Sequence, residues 1–227
     1  MKIITVIPAR GGSKSIPHKN IANLGGQPLI GYTILDSIRT KLIEETFVST
    51  DDKDIAEISE RFGAEVVMRP PELSTDNASD LQWAWHFLTW YEDTFKHLPE
   101  LLVHLRATTP IRDLKLITEA IETMKVTTEA TSLISVEEFV ESPYKWLKFN
   151  QENWLDPLFP GDFYLQPKQN VPKAFKPNGY VDILRPEVIL KGSLHGDRRL
   201  GFITPNVIEI DSPAELAYAE YLISKQD

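Results

Sequence analysis

Three cations, Arg10, Lys14 and Lys19, stand close together in one short stretch, ARGGSKSIPHKN, with Gly11, Gly12, Ser13 and Asn20 among them. Like charges packed so densely repel each other unless an anion lies between them. Glycine permits backbone geometries and close approaches that a Cβ would block. Backbone N–H groups and two or three cations in such a loop can surround a triphosphate. The spacing is neither the P-loop pattern G-x-x-x-x-G-K-[ST] nor the dinucleotide fingerprint. Near the other end, Glu209 and Asp211 lie two apart in IEIDS. Read as a strand, that spacing turns both carboxylates to one face. Magnesium takes one or two such carboxylates together with substrate phosphates and water.

The elements that must position these residues follow from periodicity. Residues 3–8 form a short buried strand, and the cationic loop leaves its carboxyl end. Pro28 to about Thr40 is an amphipathic helix, EETFVST a strand, and DIAEISERF a helix closed by Gly63 in a left-handed cap. AEVVMRP, LLVHLRATTPIR and ATSLISVEEF follow as strands, separated by the helices SDLQWAWHFLTWYEDTF and LKLITEAIETM. Repeated βα units predict a layered sheet with helices on both faces. Trp83, Phe87, Trp90 and Tyr91 recur at helical spacing and read as core. Asp76 reads as a helix-capping residue, and Ser212-Pro213-Ala214-Glu215 as a capping box. The acidic run from Asp51 to Asp54 reads as a helix N-terminus. From 142 to 176 the alternation breaks into a stretch rich in Pro, aromatics and Lys. It is too apolar for a disordered linker, and is read as an excursion that packs on a second subunit.

The chain has 227 residues, a comfortable length for one α/β domain spanning 1–227. With 24 Lys+Arg against 33 Asp+Glu its net charge is −9, which argues against general nucleic-acid binding. The absence of cysteine excludes disulfides, thiolate metal sites and cysteine nucleophiles. No stretch is long and apolar enough for a membrane helix, and the start does not read as a signal peptide. A cytoplasmic protein is expected.

The stretch IPARGGSKSIPHKN resembles the opening motif of the acylneuraminate cytidylyltransferase family, IPAR-x-GSKG-x-x-x-KN. The likeness continues through FVSTDDKDIAEI, GAEVVMRPPELSTDNAS, TTPIRD, PKAFKPNG and IEIDSPAEL, in the family's order. The resemblance implies a Rossmann-like three-layer α/β/α nucleotidyltransferase sandwich with a protruding dimerisation segment, which falls on 142–176. It implies a magnesium-dependent homodimer that joins CMP from CTP to a sugar acid and releases pyrophosphate. Carried onto this chain, nucleotide binding falls on Arg10, Gly12, Ser13, Lys14, Lys19 and Asn20, with Arg69 of MRPPELSTD against the cytosine. Lys19, Arg10 and Asp211 are the expected catalytic residues. Asp211 is expected to hold magnesium, with Glu209 second to it because the family normally has Asp there. Ser15 stands where the family prefers glycine.

Departures concentrate on the acceptor side. Family members that use N-acetylneuraminate commonly read LQPTSPLR where this chain has LRATTPIR, so Arg106 replaces a glutamine. NGYVDI replaces NGAIYI, keeping Asn178 but placing Asp182 at a tyrosine position. Lys145 matches a family lysine that reaches the sugar acid, and Lys168 stands where arginine is usual. Arg106 adds a bidentate reader of carboxylate or phosphate. Asp182 either meets an acceptor hydroxyl or amine, or pairs with Arg106. The expected acceptor is a nonulosonic acid other than simple N-acetylneuraminate, of legionaminic or pseudaminic type. The alternatives are a phosphate- or phosphonate-bearing small molecule, a sugar phosphate with another base, and a non-catalytic nucleotide-binding dimer.

Overall fold

The computed structural model describes residues 2–225. Its centre is a seven-stranded sheet in the order β11-β7-β10-β6-β1-β4-β5. The strands are β1 (Ile3–Pro8), β4 (Glu45–Thr50), β5 (Glu65–Met68), β6 (Leu101–His104), β7 (Ser132–Glu138), β10 (Phe175–Leu184) and β11 (Arg199–Ile203). Two small hairpins lie outside it, β2 (Asn23–Leu24) with β3 (Gln27–Pro28), and β8 (Leu147–Phe149) with β9 (Leu155–Pro157). The helices are α1 (Leu29–Arg39), α2 (Lys53–Arg61), α3 (Asp80–Phe95), α4 (Leu114–Val126), α5 (Pro186–Leu190) and α6 (Pro213–Ile223).

Within the sheet β10 runs antiparallel to both its neighbours, while the other pairings are parallel. Strand alternation divides the core into two layers. Ile3 and Ile7 of β1, Val48 of β4 and Leu101 and Val103 of β6 meet α1, α2 and α4 through Ile34, Ile55 and Ile121. Ile4, Val6, Phe47 and Leu102 turn the other way, onto Trp83, Phe87 and Tyr91 of α3 and Ile189 of α5. The three-layer α/β/α sandwich expected from the sequence is therefore present. The aromatic run of α3 is core, with Phe47 edge-on to Phe87 at 5.3 Å between ring centroids.

Because β1, β4, β5 and β6 are parallel, their carboxyl ends share one edge, where open α/β sheets bind ligands. Four loops start there: residues 9–18, Asp51-Asp52, the stretch from Arg69, and Leu105–Thr109. Asp52 caps α2, accepting from the Asp54 and Ile55 amides. A Cβ on Gly11 would stand 2.4 Å from Asp52 Oδ2 and 2.8 Å from its Cβ, so the cationic loop passes where only glycine fits. The Gly11 amide also donates to Asp51 Oδ1 at 3.1 Å.

Two sequence expectations are corrected. Residues 206–211 are not a strand: Ile210 is buried and its amide donates to Thr108 O at 2.8 Å, but no ladder forms. Their polarity still alternates about Ile210, which is what the motif's spacing reported. Asp76 does not cap α3; Ser79 does, with its amide donating to Gln82 Oε1 at 2.8 Å. The 142–176 stretch, where the alternation breaks, contains the β8–β9 hairpin, and its last two residues open β10.

Candidate active site

A cavity of about 510 Å³ opens at the shared carboxyl edge of the sheet. Arg10, Gly12, Ser13, Lys14, Lys19 and Asn20 of the first loop line it, together with Arg69, Asp76, Arg106 and Asp211. The cationic loop is fixed from within: Asn20 is buried, and its Nδ2 donates to the Arg10 carbonyl at 2.9 Å. Arg10 Nη1 donates to Thr75 O at 3.1 Å and meets Asp76 Oδ1 at 3.0 Å. Asp76 Oδ2 meets Lys14 Nζ at 2.5 Å. The hydrogen bond and charge of Lys14, helped by Arg10, hold the Asp76 carboxyl below the usual range. Lys19 Nζ lies 2.8 Å from Asp211 Oδ1; the lysine side chain is 15% exposed and the aspartate's 64%.

Arg69 follows β5 and is buried, with a buried Nε that has no hydrogen-bond partner. Burial lowers its pKa, and Arg10 does so too, while Asp51 and Asp80 favour its charge. Arg106 follows β6 and lies 3.7 Å, Nη1 to Oε1, from Glu209. Its Nε is likewise buried without a partner. Its stem crosses β10 at Gly179, where φ is +66° and a Cβ would meet Arg106 Cδ at 2.6 Å. The register of β10 shifts between Pro177 and Asp182, and this irregularity carries Gly179 under the arginine.

The remaining expected site residues are placed elsewhere. Asn178 Nδ2 donates to Thr204 Oγ1 at 2.7 Å, beneath the surface. Asp182 is buried and its Oδ2 lies 3.8 Å from His104 Nδ1, while its Oδ1 accepts from the Ser135 amide at 3.4 Å. Burial pushes Asp182 up to about 6, against the pull of Arg106. Burial pushes His104 down to about 3, so it is neutral at physiological pH. Glu209, Asn178 and Asp182 are not among the cavity-lining residues, and neither are Lys145 and Lys168. Lys145 Nζ donates to Gln166 O at 2.9 Å within the 142–176 stretch.

Asp80, Trp83 and His104 also line the cavity, although Trp83 reads from the sequence as core. A histidine inside the apolar run LLVHL is the available signal for His104, although the five histidines show no metal-ligand spacing. Asp76 was singled out for a different role.

Among the described residues no group of three or more His, Asp or Glu is arranged to cage a metal. Magnesium does not need one, because substrate phosphates and water complete its shell. Asp211, exposed at the cavity and hard in donor type, fits as the single protein ligand. Glu209 is drawn toward Arg106 instead.

Fold and cavity together define an α/β protein with a cation-lined cavity at the carboxyl edge of its sheet. The cytidylyltransferase family model matches residues 4–151, and the chain belongs to that family. It is 31% identical over 230 residues to the CMP-N,N'-diacetyllegionaminic acid synthase of Legionella pneumophila, covering 98% of this chain and 97% of that protein. It is 36% identical over 135 residues to the N-acylneuraminate cytidylyltransferase of Escherichia coli O18:K1:H7, covering 60% of this chain. That match spans 31% of the longer E. coli protein. The fold is also that of a CMP:2-keto-3-deoxy-manno-octonic acid synthetase solved with CTP, with a TM-score of 0.76 at 17% identity and full coverage of both chains.

Proposed function

We propose that the chain is one cytidylyltransferase domain that transfers CMP from CTP to an anionic acceptor, a nonulosonic acid of legionaminic type. The observation that carries this reading is one cavity lined by Arg10, Lys14, Lys19, Arg69 and Arg106 together. The near-full-length likeness to a legionaminic acid CMP synthase supports the acceptor class.

In the reaction, an acceptor hydroxyl oxygen attacks the α-phosphorus of CTP in line. The bond from that phosphorus to the bridging oxygen breaks, pyrophosphate leaves and the acceptor proton passes to solvent. Arg10, Lys14 and the loop amides hold the phosphates. Lys19 sits where negative charge grows on the non-bridging oxygens and stabilises that state over the ground state. Asp211 orients Lys19 through their ion pair and would hold magnesium, which supplies charge neutralisation on the phosphates. Arg106 receives the acceptor's anionic group.

The homodimer belongs to this proposal. The 142–176 stretch exposes Trp146, Phe149, Trp154, Leu155 and Leu165, apolar side chains that a partner would cover. Lys145 and Lys168 lie on the same stretch and would serve the partner's cavity. No helix among the described residues is long and apolar enough to cross a membrane, and a CTP-consuming reaction suits the cytoplasm.

Turnover with a panel of acceptors tests the reading. Pyrophosphate release from CTP and magnesium with a legionaminic-type acid supports it. Release only with a small phosphonate overturns the acceptor class.

A further inference from the structure

The cavity wall between the cationic loop and α3 carries two groups of fixed hydrogen-bonding sign. Arg69 can only donate, and its buried Nε has no protein partner. Asp80, ionised, can only accept. It opens α3, and its Oδ1 accepts from Trp83 Nε1 at 3.0 Å. Trp83 is itself buried and lies against His104, with 4.9 Å between ring centroids. The carboxylate is thus anchored to an immobile indole. Burial raises the Asp80 pKa, and the Trp83 N–H and the charge of Arg106 oppose that rise. Arg69 and Asp80 both line the cavity, and the Asp80 charge favours the charged form of Arg69.

Cytosine and uracil differ where such a pair reads. Cytosine carries an amino group at C4 and acceptors at N3 and O2. Uracil carries an acceptor at C4 and an N–H at N3. A carboxylate facing C4 gains a charge-assisted hydrogen bond from the amine and meets a lone pair on the uracil oxygen. A site built to bond one pattern leaves buried groups unpaired with the other.

We propose that Asp80 selects the base, its carboxylate accepting from the 4-amino group of cytosine while Arg69 donates to the acceptor edge at N3 and O2. This assignment rests on the CTP-dependent reading above.

The test is nucleotide binding without any acceptor, with CTP and UTP titrated by calorimetry in magnesium buffer. The wild-type chain is expected to favour CTP at least tenfold, and D80N to bring that ratio below threefold while both nucleotides still bind. Circular dichroism establishes that the variant is folded; should D80N not fold, D80S is read in the same way. An unchanged ratio in the variant overturns the proposal, as does a wild-type chain without preference. A D80N chain that keeps its CTP preference but needs more acceptor for half-maximal rate also overturns it, by moving Asp80 to the acceptor's side. A wild-type chain that prefers CTP and loses the preference in D80N, yet turns over no acceptor, supports the base assignment and overturns the transferase reading alone.

Discussion

Lys19 Nζ and Asp211 Oδ1 meet at 2.8 Å across 192 positions of sequence. That contact joins the cationic loop to the segment ahead of α6, so the two ends of the chain complete one site. Replacing either residue with alanine is expected to cut turnover about 10²–10³-fold, the range for losing one preorganised charge at a transition state. Because the two act as a pair, the double variant should lose little more than either single one. Stopped assays of pyrophosphate release check this, and additive losses would contradict it.

Arg106 stands over Gly179 and faces Glu209. Arg106→Gln should raise the acceptor KM about tenfold, the equivalent of one charge-assisted hydrogen bond. The KM for CTP should move much less. Equal changes in both constants would show that the residue shapes the whole cavity.

Gly11 and Gly12 are neighbours with opposite surroundings. A Cβ on Gly11 collides with Asp52, whereas one on Gly12 meets nothing within 4 Å. Gly11→Ala should destabilise by about 1–3 kcal/mol, as overpacking does. Gly12→Ala should leave the melting temperature unchanged. Matching losses in the two variants would rule out this account of the loop.

Burial pushes the Asp182 carboxyl in the folded chain up to about 6, from an ordinary aspartate value of 3.8. Between these values the folded state holds more protons than the unfolded one, so stability falls as pH rises through the window. Asp182→Asn removes that penalty. Relative to the wild type it should therefore gain stability between pH 4 and pH 7, by up to about 3 kcal/mol. Urea midpoints at the two pH values read this difference, and a constant gap would contradict it.

The 142–176 stretch leaves Phe149 68% and Trp154 69% exposed. The chain should sediment at twice its 25.9 kDa mass, and F149D with W154D should return it to the monomer. A monomeric wild type would contradict the dimer.

The sheet was legible because its strands are short apolar runs and its helices keep one apolar face. The phosphate side of the cavity was legible as well, since Arg10, Lys14, Lys19 and Asn20 lie within one loop. Asp76 was misread because a lone acid before a helix is usually a cap, and only folding shows that two cations are closer. Residues 206–211 keep a strand's alternation without a strand's ladder: the Ile210 amide donates to Thr108 O, and the Ile210 side chain packs with Ile16, Leu24 and Leu29. Asp80 and His104 escaped notice for a different reason. They sit in α3 and β6, whose patterns are explained by the core, and their presence in the cavity depends on which strand ends the topology brings together.

The most direct test of the central claim is pyrophosphate release from CTP and magnesium, measured with legionaminic-type, pseudaminic-type, N-acetylneuraminic and Kdo-type acids alongside a small phosphonate. The account predicts CTP-dependent release with a nonulosonic acid other than N-acetylneuraminate, and its loss in Lys19→Ala. Release from UTP as readily as from CTP, or none with any sugar acid, would contradict it.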